Sequence, residues 1–325
     1  MNRAVMRFFA IVCIVFVFFG LYSAEGATAE GRLAVVTSIF PVSEMVRAVG
    51  GDRVDVRQLL PPGSDPHSWE PKISDMLCLE QADLVVLIGA GLEPWAGGIV
   101  NKVRSGGGGV LVLAEGSDLK GWRGRTSEVE GHDHHGHGWA DPHIWLDFKW
   151  DAEATMRIAK KLADLDPAGA GFYEENARRY AKALEALDTS YRRTLSSCEQ
   201  KTLVVAGHAA FGYLAEAYGL RQVALYGISP DASPSPKKMA DVIELVKKEG
   251  VKAIFFDDTV NDSLGKAISR ETGAQCFVIT PGESLKKNDI VDKTTFIKLM
   301  YRNLAALSRG LGCKGSAKIP PEKQS

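Results

Sequence analysis

Apolar positions along the chain follow two alternating periods. Short apolar runs bounded by Gly, Pro and Asp, at Leu33 to Thr37, Val54 to Leu60, Leu84 to Ile88 and Val110 to Leu113, have the length of strands. Between them, Pro41 to Val49, Lys72 to Gln81 and Pro94 to Val103 carry apolar residues at helical spacing. A second series runs through Leu203 to Ala206, Val223 to Tyr226, Ala253 to Phe256 and Cys276 to Ile279. Helical stretches lie at Pro236 to Glu249, Asn261 to Thr272 and Asp292 to Leu307. Repeated switching from strand to helix predicts an α/β fold of two lobes, each a mostly parallel sheet flanked by helices.

The segment joining the lobes has its own pattern. From Gly171 to Ser197, Phe172, Ala177, Tyr180, Ala181, Leu184, Leu187, Tyr191 and Leu195 recur at three- and four-residue steps with no internal Gly or Pro. This predicts one continuous backbone helix of roughly 40 Å at 1.5 Å per residue. Asp151 to Leu165 reads as a helix closed by Asp166-Pro167. The glycines Gly106 to Gly109 precede a strand and lack a following Gly-Lys-Ser/Thr, so they read as a turn and not as a phosphate loop.

At the N-terminus, Arg3 and Arg7 precede the apolar run Phe8 to Tyr22, and Ala27-Thr28-Ala29 offers a cleavage triplet, so residues 1–29 read as an export signal. A membrane span needs about 20 apolar residues, which makes a retained anchor the poorer reading. Cys13 lies behind Ile11 and Val12, without the small residue a lipid-attachment site wants just before its cysteine. The expected organisation is a signal peptide at 1–29, a lobe at 30–170, the backbone helix at 171–198, a second lobe at 199–313 and a tail at 314–325.

Charge removes one class of function. Lys+Arg number 39 against Asp+Glu 40; cutting after Ala29 removes Arg3, Arg7 and Glu25 and leaves 37 against 39, a net charge of −2. No basic block supplies the field on which nucleic-acid binding depends. The export signal predicts an oxidising compartment, where the four remaining cysteines, Cys78, Cys198, Cys276 and Cys313, could pair in three ways. Cys276 with Cys313 is the expected bridge, stapling the last helix to a nearby strand, with free thiols at Cys78 and Cys198.

The seven histidines carry the chemistry. His132, His134, His135 and His137 crowd the polar, Gly-rich loop 128–138, and the other three stand alone. His67 lies in a proline-rich loop after a strand, His143 follows Pro142, and His208 follows Leu203 to Ala206 and begins a helix through Tyr218. In doubly wound sheets the carboxyl ends of strands gather at one crevice, where distant residues converge. Three neutral imidazoles meeting there would hold a borderline transition metal such as Zn²⁺. Glu283, just beyond a strand, is the expected fourth ligand, with Asp257 and Asp258 as rivals.

Four ordered motifs add a resemblance. Pro62-Gly-Ser-Asp-Pro-His-Ser-Trp-Glu-Pro71, Asp141-Pro-His-Ile-Trp-Leu-Asp147, Gly207-His-Ala-Ala-Phe-Gly-Tyr-Leu-Ala215 and Gly227-Ile-Ser-Pro with Pro234-Ser-Pro236 resemble the cluster A-I metal-binding proteins of ABC transporters, from Leu33 to about Leu311. The resemblance implies a periplasmic protein that holds a metal between two lobes, with His67, His143 and His208 as histidine ligands and Glu283 where many members place an aspartate. Manganese-selective members tend to carry a carboxylate at the third histidine, so three nitrogens and one oxygen favour zinc over manganese or iron. It further implies delivery to a membrane permease, with no catalysis. The histidine-rich loop recurs in the zinc branch, and its flexibility would make it a weak accessory metal binder. A monomer is expected. A zinc hydrolase is the rival class, because three histidines with an open fourth position can also activate water.

Overall fold

A computed structural model describes residues 31–117, 119, 140–227, 234–257 and 263–315. The signal-like segment, the histidine-rich loop 128–138, Asp258 and most of the tail lie outside these residues, and of Asp257 only the backbone is described.

In chain order the first lobe runs β1 (Leu33–Thr37), α1 (Phe40–Gly50), β2 (Val54–Gln58), α2 (Ile73–Gln81), β3 (Leu84–Leu87), α3 (Ala96–Ser105) and β4 (Gly109–Val112). Its sheet has the order β2-β1-β3-β4, every pair parallel, with Leu33 opposite Val54 and Leu84 opposite Gly109. The second lobe repeats the scheme with β5 (Thr202–Val205), α6 (Gly212–Ala217), β6 (Arg221–Ala224), α7 (Pro236–Lys248), β7 (Ala253–Asp257), α8 (Ser263–Thr272) and β8 (Gln275–Ile279), in the order β6-β5-β7-β8 and again parallel. The central strand β3 is buried throughout its length, as helices on both faces require, whereas the edge strand β2, Val-Asp-Val-Arg-Gln, alternates.

Helices α4 (Phe148–Leu165) and α5 (Ala170–Ser196) lie between the sheets in sequence, and α9 (Lys287–Val291) and α10 (Phe296–Gly310) follow the second. The 27 residues of α5 span roughly 40 Å. They bury Tyr173, Ala177, Ala181, Leu184, Leu187, Tyr191 and Leu195. Phe172 departs from the expected stripe and is 41% exposed, because Tyr173 takes the inward place and donates its hydroxyl to Asp166 Oδ2. One apolar cluster joins Val35 and Leu84 of the first lobe, Leu184 and Tyr191 of α5, and Leu203, Phe255 and Phe296 of the second half. A shared core of this kind resists wide separation of the lobes.

Three local expectations are corrected. Cys198, at the end of α5, is disulfide-bonded to Cys313, which follows α10, and their backbones form an antiparallel bridge. Cys276 is free; its sulfur faces the Gly265 carbonyl of α8, so β8 directs it away from Cys313. His208 precedes its helix by four residues: Ala209 N–H bonds to the Gly227 carbonyl and Phe211 N–H to Gln222, which hold this stretch as a loop, and the helix begins at Gly212. The helix expected from Asp292 starts only at Phe296, because Lys293 has φ 47° and Thr295 caps α10 by accepting from Lys298 N–H; the short α9 precedes the expected span.

Candidate metal centre

The three isolated histidines and Glu283 meet. His67 sits on the loop after β2, His143 just before α4, His208 after β5 and Glu283 after β8, so three of the four stand beyond carboxyl ends of strands. One donor atom from each lies within 4.8 Å of all the others. The Nε2 atoms of His67 and His208 are each 3.2 Å from His143 Nε2. Glu283 Oε1 is 3.2 Å from His143 Nε2, 3.4 Å from His208 Nε2 and 3.9 Å from His67 Nε2. A tetrahedron with its corners 2.0–2.1 Å from the centre has edges of about 3.3 Å, the spacing zinc demands of nitrogen and oxygen donors.

Local sequence explains why each donor points inward. Asp141 Oδ1 accepts both the backbone N–H of His143, at 3.0 Å, and its Nδ1, at 2.7 Å. Assigning the ring proton to Nδ1 leaves Nε2 with its lone pair facing the cluster, the arrangement in which a carboxylate orients a metal-binding imidazole. Asp147 then caps α4 by accepting from Lys149 N–H, fixing the far side of the segment. Between them Trp145 is fully buried and donates to the Pro281 carbonyl at 2.8 Å.

Gly212 lets Asp141 approach, because a Cβ there would stand 2.7 Å from Asp141 Oδ2. On the loop after β8, Asn303 of α10 brackets Thr280, accepting from its N–H and donating to its carbonyl. Gly282, at φ 77°, then turns the chain so that Glu283 faces the histidines.

The electrostatics suit a cation. Burial pushes the His143 pKa down, but the Asp141 carboxylate and Glu283 outweigh it and hold the metal-free imidazole at about 9. Burial pushes Glu283 up, and the facing imidazoles of His143 and His208 outweigh that in turn, leaving it well below the usual carboxylate range. Glu283 Oε1 is buried without a well-aligned hydrogen-bond donor. That oxygen therefore depends on positive charge among the imidazoles, a proton on His143 or a cation bound at the centre.

All three histidines and Glu283, expected from their positions alone, are therefore brought together. The side chain of Asp257 and the whole of Asp258, the rivals, lie outside the described residues, as do His132, His134, His135 and His137. Two contributors were missed: Asp141 as the orienting carboxylate, and Ser284 beside the cluster. A signal for Asp141 existed, since Asp65-Pro-His-Ser-Trp69 and Asp141-Pro-His-Ile-Trp145 share one pattern, with an aspartate two residues before the imidazole in both.

Two four-stranded parallel sheets flanked by helices, with a long helix between them in sequence, match the two-lobe fold of solved ZnuA-like structures. The Zn(II)-bound ZnuA-like domain of Streptococcus pneumoniae AdcA superposes with a TM-score of 0.74 at 32% identity, over 86% of this chain and 99% of that domain. The chain belongs to the family described as zinc-uptake complex component A, periplasmic (ZnuA), whose sequence model matches residues 35–310. The high-affinity zinc uptake system protein ZnuA of Bacillus subtilis is 33% identical over 295 residues, covering 90% of this chain and 92% of the relative. The zinc-binding protein AdcA of Streptococcus pyogenes is 32% identical over 335 residues, and the match takes in 100% of this chain but only 64% of that longer protein.

Proposed function

We propose that this chain is the high-affinity zinc-binding component of an ABC metal-uptake transporter. It captures Zn²⁺ in the periplasm between lobes 30–170 and 199–313, spanned by helix 171–198, and hands it to an inner-membrane permease. His67, His143, His208 and Glu283 are the ligands, and the protein acts as a monomer without catalysing a reaction. The observation that carries this reading is the set of donor separations, 3.2 to 3.9 Å between Glu283 Oε1 and the three imidazoles. They leave room for a single ion among four donors, and that ion is the protein's cargo.

Three nitrogens and one carboxylate oxygen suit zinc better than manganese, which prefers a harder set. A hydrolytic centre would keep one position open for water, whereas in this reading Glu283, close enough to all three imidazoles, takes the fourth corner. Native mass spectrometry of the mature protein with zinc and manganese in competition is the test. One retained zinc per chain is expected; preferential retention of manganese would overturn the assignment. The loop histidines His132, His134, His135 and His137 then serve as a weak accessory site. Deleting residues 128–138 should remove additional weakly bound zinc and leave the tight ion in place.

A further inference from the structure

The loop that carries Glu283 is gripped by three separate segments of the first lobe. Trp145 Nε1 donates to the Pro281 carbonyl, Phe40 N–H donates to the Glu283 carbonyl at 3.0 Å, and Gly63 N–H donates to Ser284 Oγ at 2.7 Å. The last contact has a return: Ser284 Oγ donates to the Pro61 carbonyl at 3.1 Å. A single hydroxyl thus uses both its donor and its acceptor capacity to tie residues more than 220 positions apart.

Its position matters because of which loop it holds. His143, His208 and Glu283 are buried residues, and His67 differs in its backbone rather than its ring: its side chain is 7% exposed, beside 9% for Glu283 and 5% for His208. The backbone of the His67 loop is stiff, while its imidazole faces His143 and His208 and its Trp69 packs against the core. Ser64 N–H bonds to the Pro61 carbonyl, His67 N–H to Asp65 Oδ1 and Trp69 N–H to the Asp65 carbonyl, all local contacts, while Pro61, Pro62 and Pro66 restrict its backbone. Gly63 has φ 74°, a left-handed conformation that aims its N–H across the gap at Ser284. Loop and carboxylate can separate as rigid pieces only when the two Ser284 bonds break.

We infer that Ser284 is a positioning residue for metal retention: its hydroxyl clasps the His67 loop to the Glu283 loop and thereby slows the release of zinc. The inference rests on the zinc-binding reading above. Ser284 touches no metal; it acts through His67 and Glu283. Loss of the clasp leaves the four donors in place but lets the His67 loop and the Glu283 loop part more often, so release accelerates while capture does not.

The test is stopped-flow zinc release into excess chelator from the mature protein, with the association rate and the visible spectrum of the Co²⁺-loaded form measured alongside. Ser284→Ala is expected to release zinc about tenfold faster, equivalent to ~1.4 kcal/mol, with an unchanged association rate and an unchanged four-coordinate Co²⁺ spectrum. Ser284→Thr, which keeps the hydroxyl, is expected to restore slow release. Wild-type release from Ser284→Ala, or equally fast release from both variants, overturns the clasp. His143→Ala separates the two readings. Tight zinc binding that survives this substitution removes the centre and the clasp together, whereas lost binding combined with unaltered release from Ser284→Ala removes the clasp alone.

Discussion

The two Asp-Pro-His-X-Trp segments begin from the same local chemistry and end in different surroundings. In both, the aspartate two residues before the imidazole accepts the histidine's backbone N–H, at 2.9 Å for Asp65 and 3.0 Å for Asp141. The proline fixes the turn. Asp141 goes further and takes His143 Nδ1, while Asp65 turns its other oxygen to the Ser68 hydroxyl at 3.4 Å. Trp145 is sealed into the core and reaches the opposite lobe, whereas Trp69 is only partly buried, edge-on to Trp95. A short motif thus sets a backbone turn twice, and tertiary packing seals one copy into the core, its imidazole held by its own aspartate, while the other keeps a partly buried tryptophan.

The largest effect should come from the sealed copy. His143→Ala leaves the buried Asp141 and Glu283 carboxylates without their central partner, a cost beyond the lost ligand. Zinc affinity by competition with a chromophoric chelator is expected to fall at least about a thousandfold, ~4 kcal/mol. The same change at His67 should cost less, and an equal or larger loss there would break the contrast between the two copies.

Protons provide the next test. With Asp141 and Glu283 holding the metal-free His143 at about 9, the imidazolium is present at neutral pH and zinc must displace it. The raised value means that the proton's stabilisation of the metal-free fold is complete below the ordinary histidine pKa of about 6.5 and is lost as pH rises through about 9. Metal affinity runs the opposite way, climbing by up to about tenfold per pH unit until His143 deprotonates and then levelling. Calorimetry between pH 7 and pH 9 is expected to show roughly a fiftyfold gain, with proton release falling from close to one at pH 7 to about one half at pH 9. A flat profile would show that His143 is already neutral.

Much of this architecture was legible because it rests on local periodicity. Leu33 to Thr37 matches its strand, the Ala253 to Phe256 run falls one residue short, and the long helix runs from Ala170 to Ser196 where 171 to 197 was expected. The histidines could be found because each isolated imidazole sits next to a strand end or a proline turn, and parallel sheets collect such places. What was not legible depends on partners distant in sequence. Nothing near Cys198 signals that the end of α5 meets the residues after α10, and nothing near Ser284 signals that its hydroxyl meets Pro61 and Gly63. The delayed start of α6 at Gly212 has the same origin, since Gly227 and Gln222 hold the Ala209 and Phe211 N–H groups and fix the segment before the helix as a loop. Asp141 is the intermediate case: its spacing to His143 was visible, and its capture of Nδ1 depended on packing.

The aspartates therefore allow a finer comparison, with smaller effects. Asp141→Asn keeps an oxygen in place but removes the charge that makes His143 a strong base, and loss of such an outer partner typically costs about 10- to 100-fold in metal affinity. The same substitution should flatten the pH profile, because the main group raising His143 is gone. Asp65→Asn is the matched control and the smallest change. Its role toward His67 is to accept a backbone N–H, which an asparagine oxygen does equally well in the same turn. Burial already pushes the Asp65 pKa up, against the pull of the His67 N–H, so its charge is held less firmly than that of a solvated aspartate. The expected loss is about twofold, the ~0.5 kcal/mol of a substitution that leaves the local bonding intact. If the two asparagine variants instead weaken zinc binding equally in the same chelator competition, the distinction between the two histidines fails, and the two motifs are equivalent despite their different surroundings.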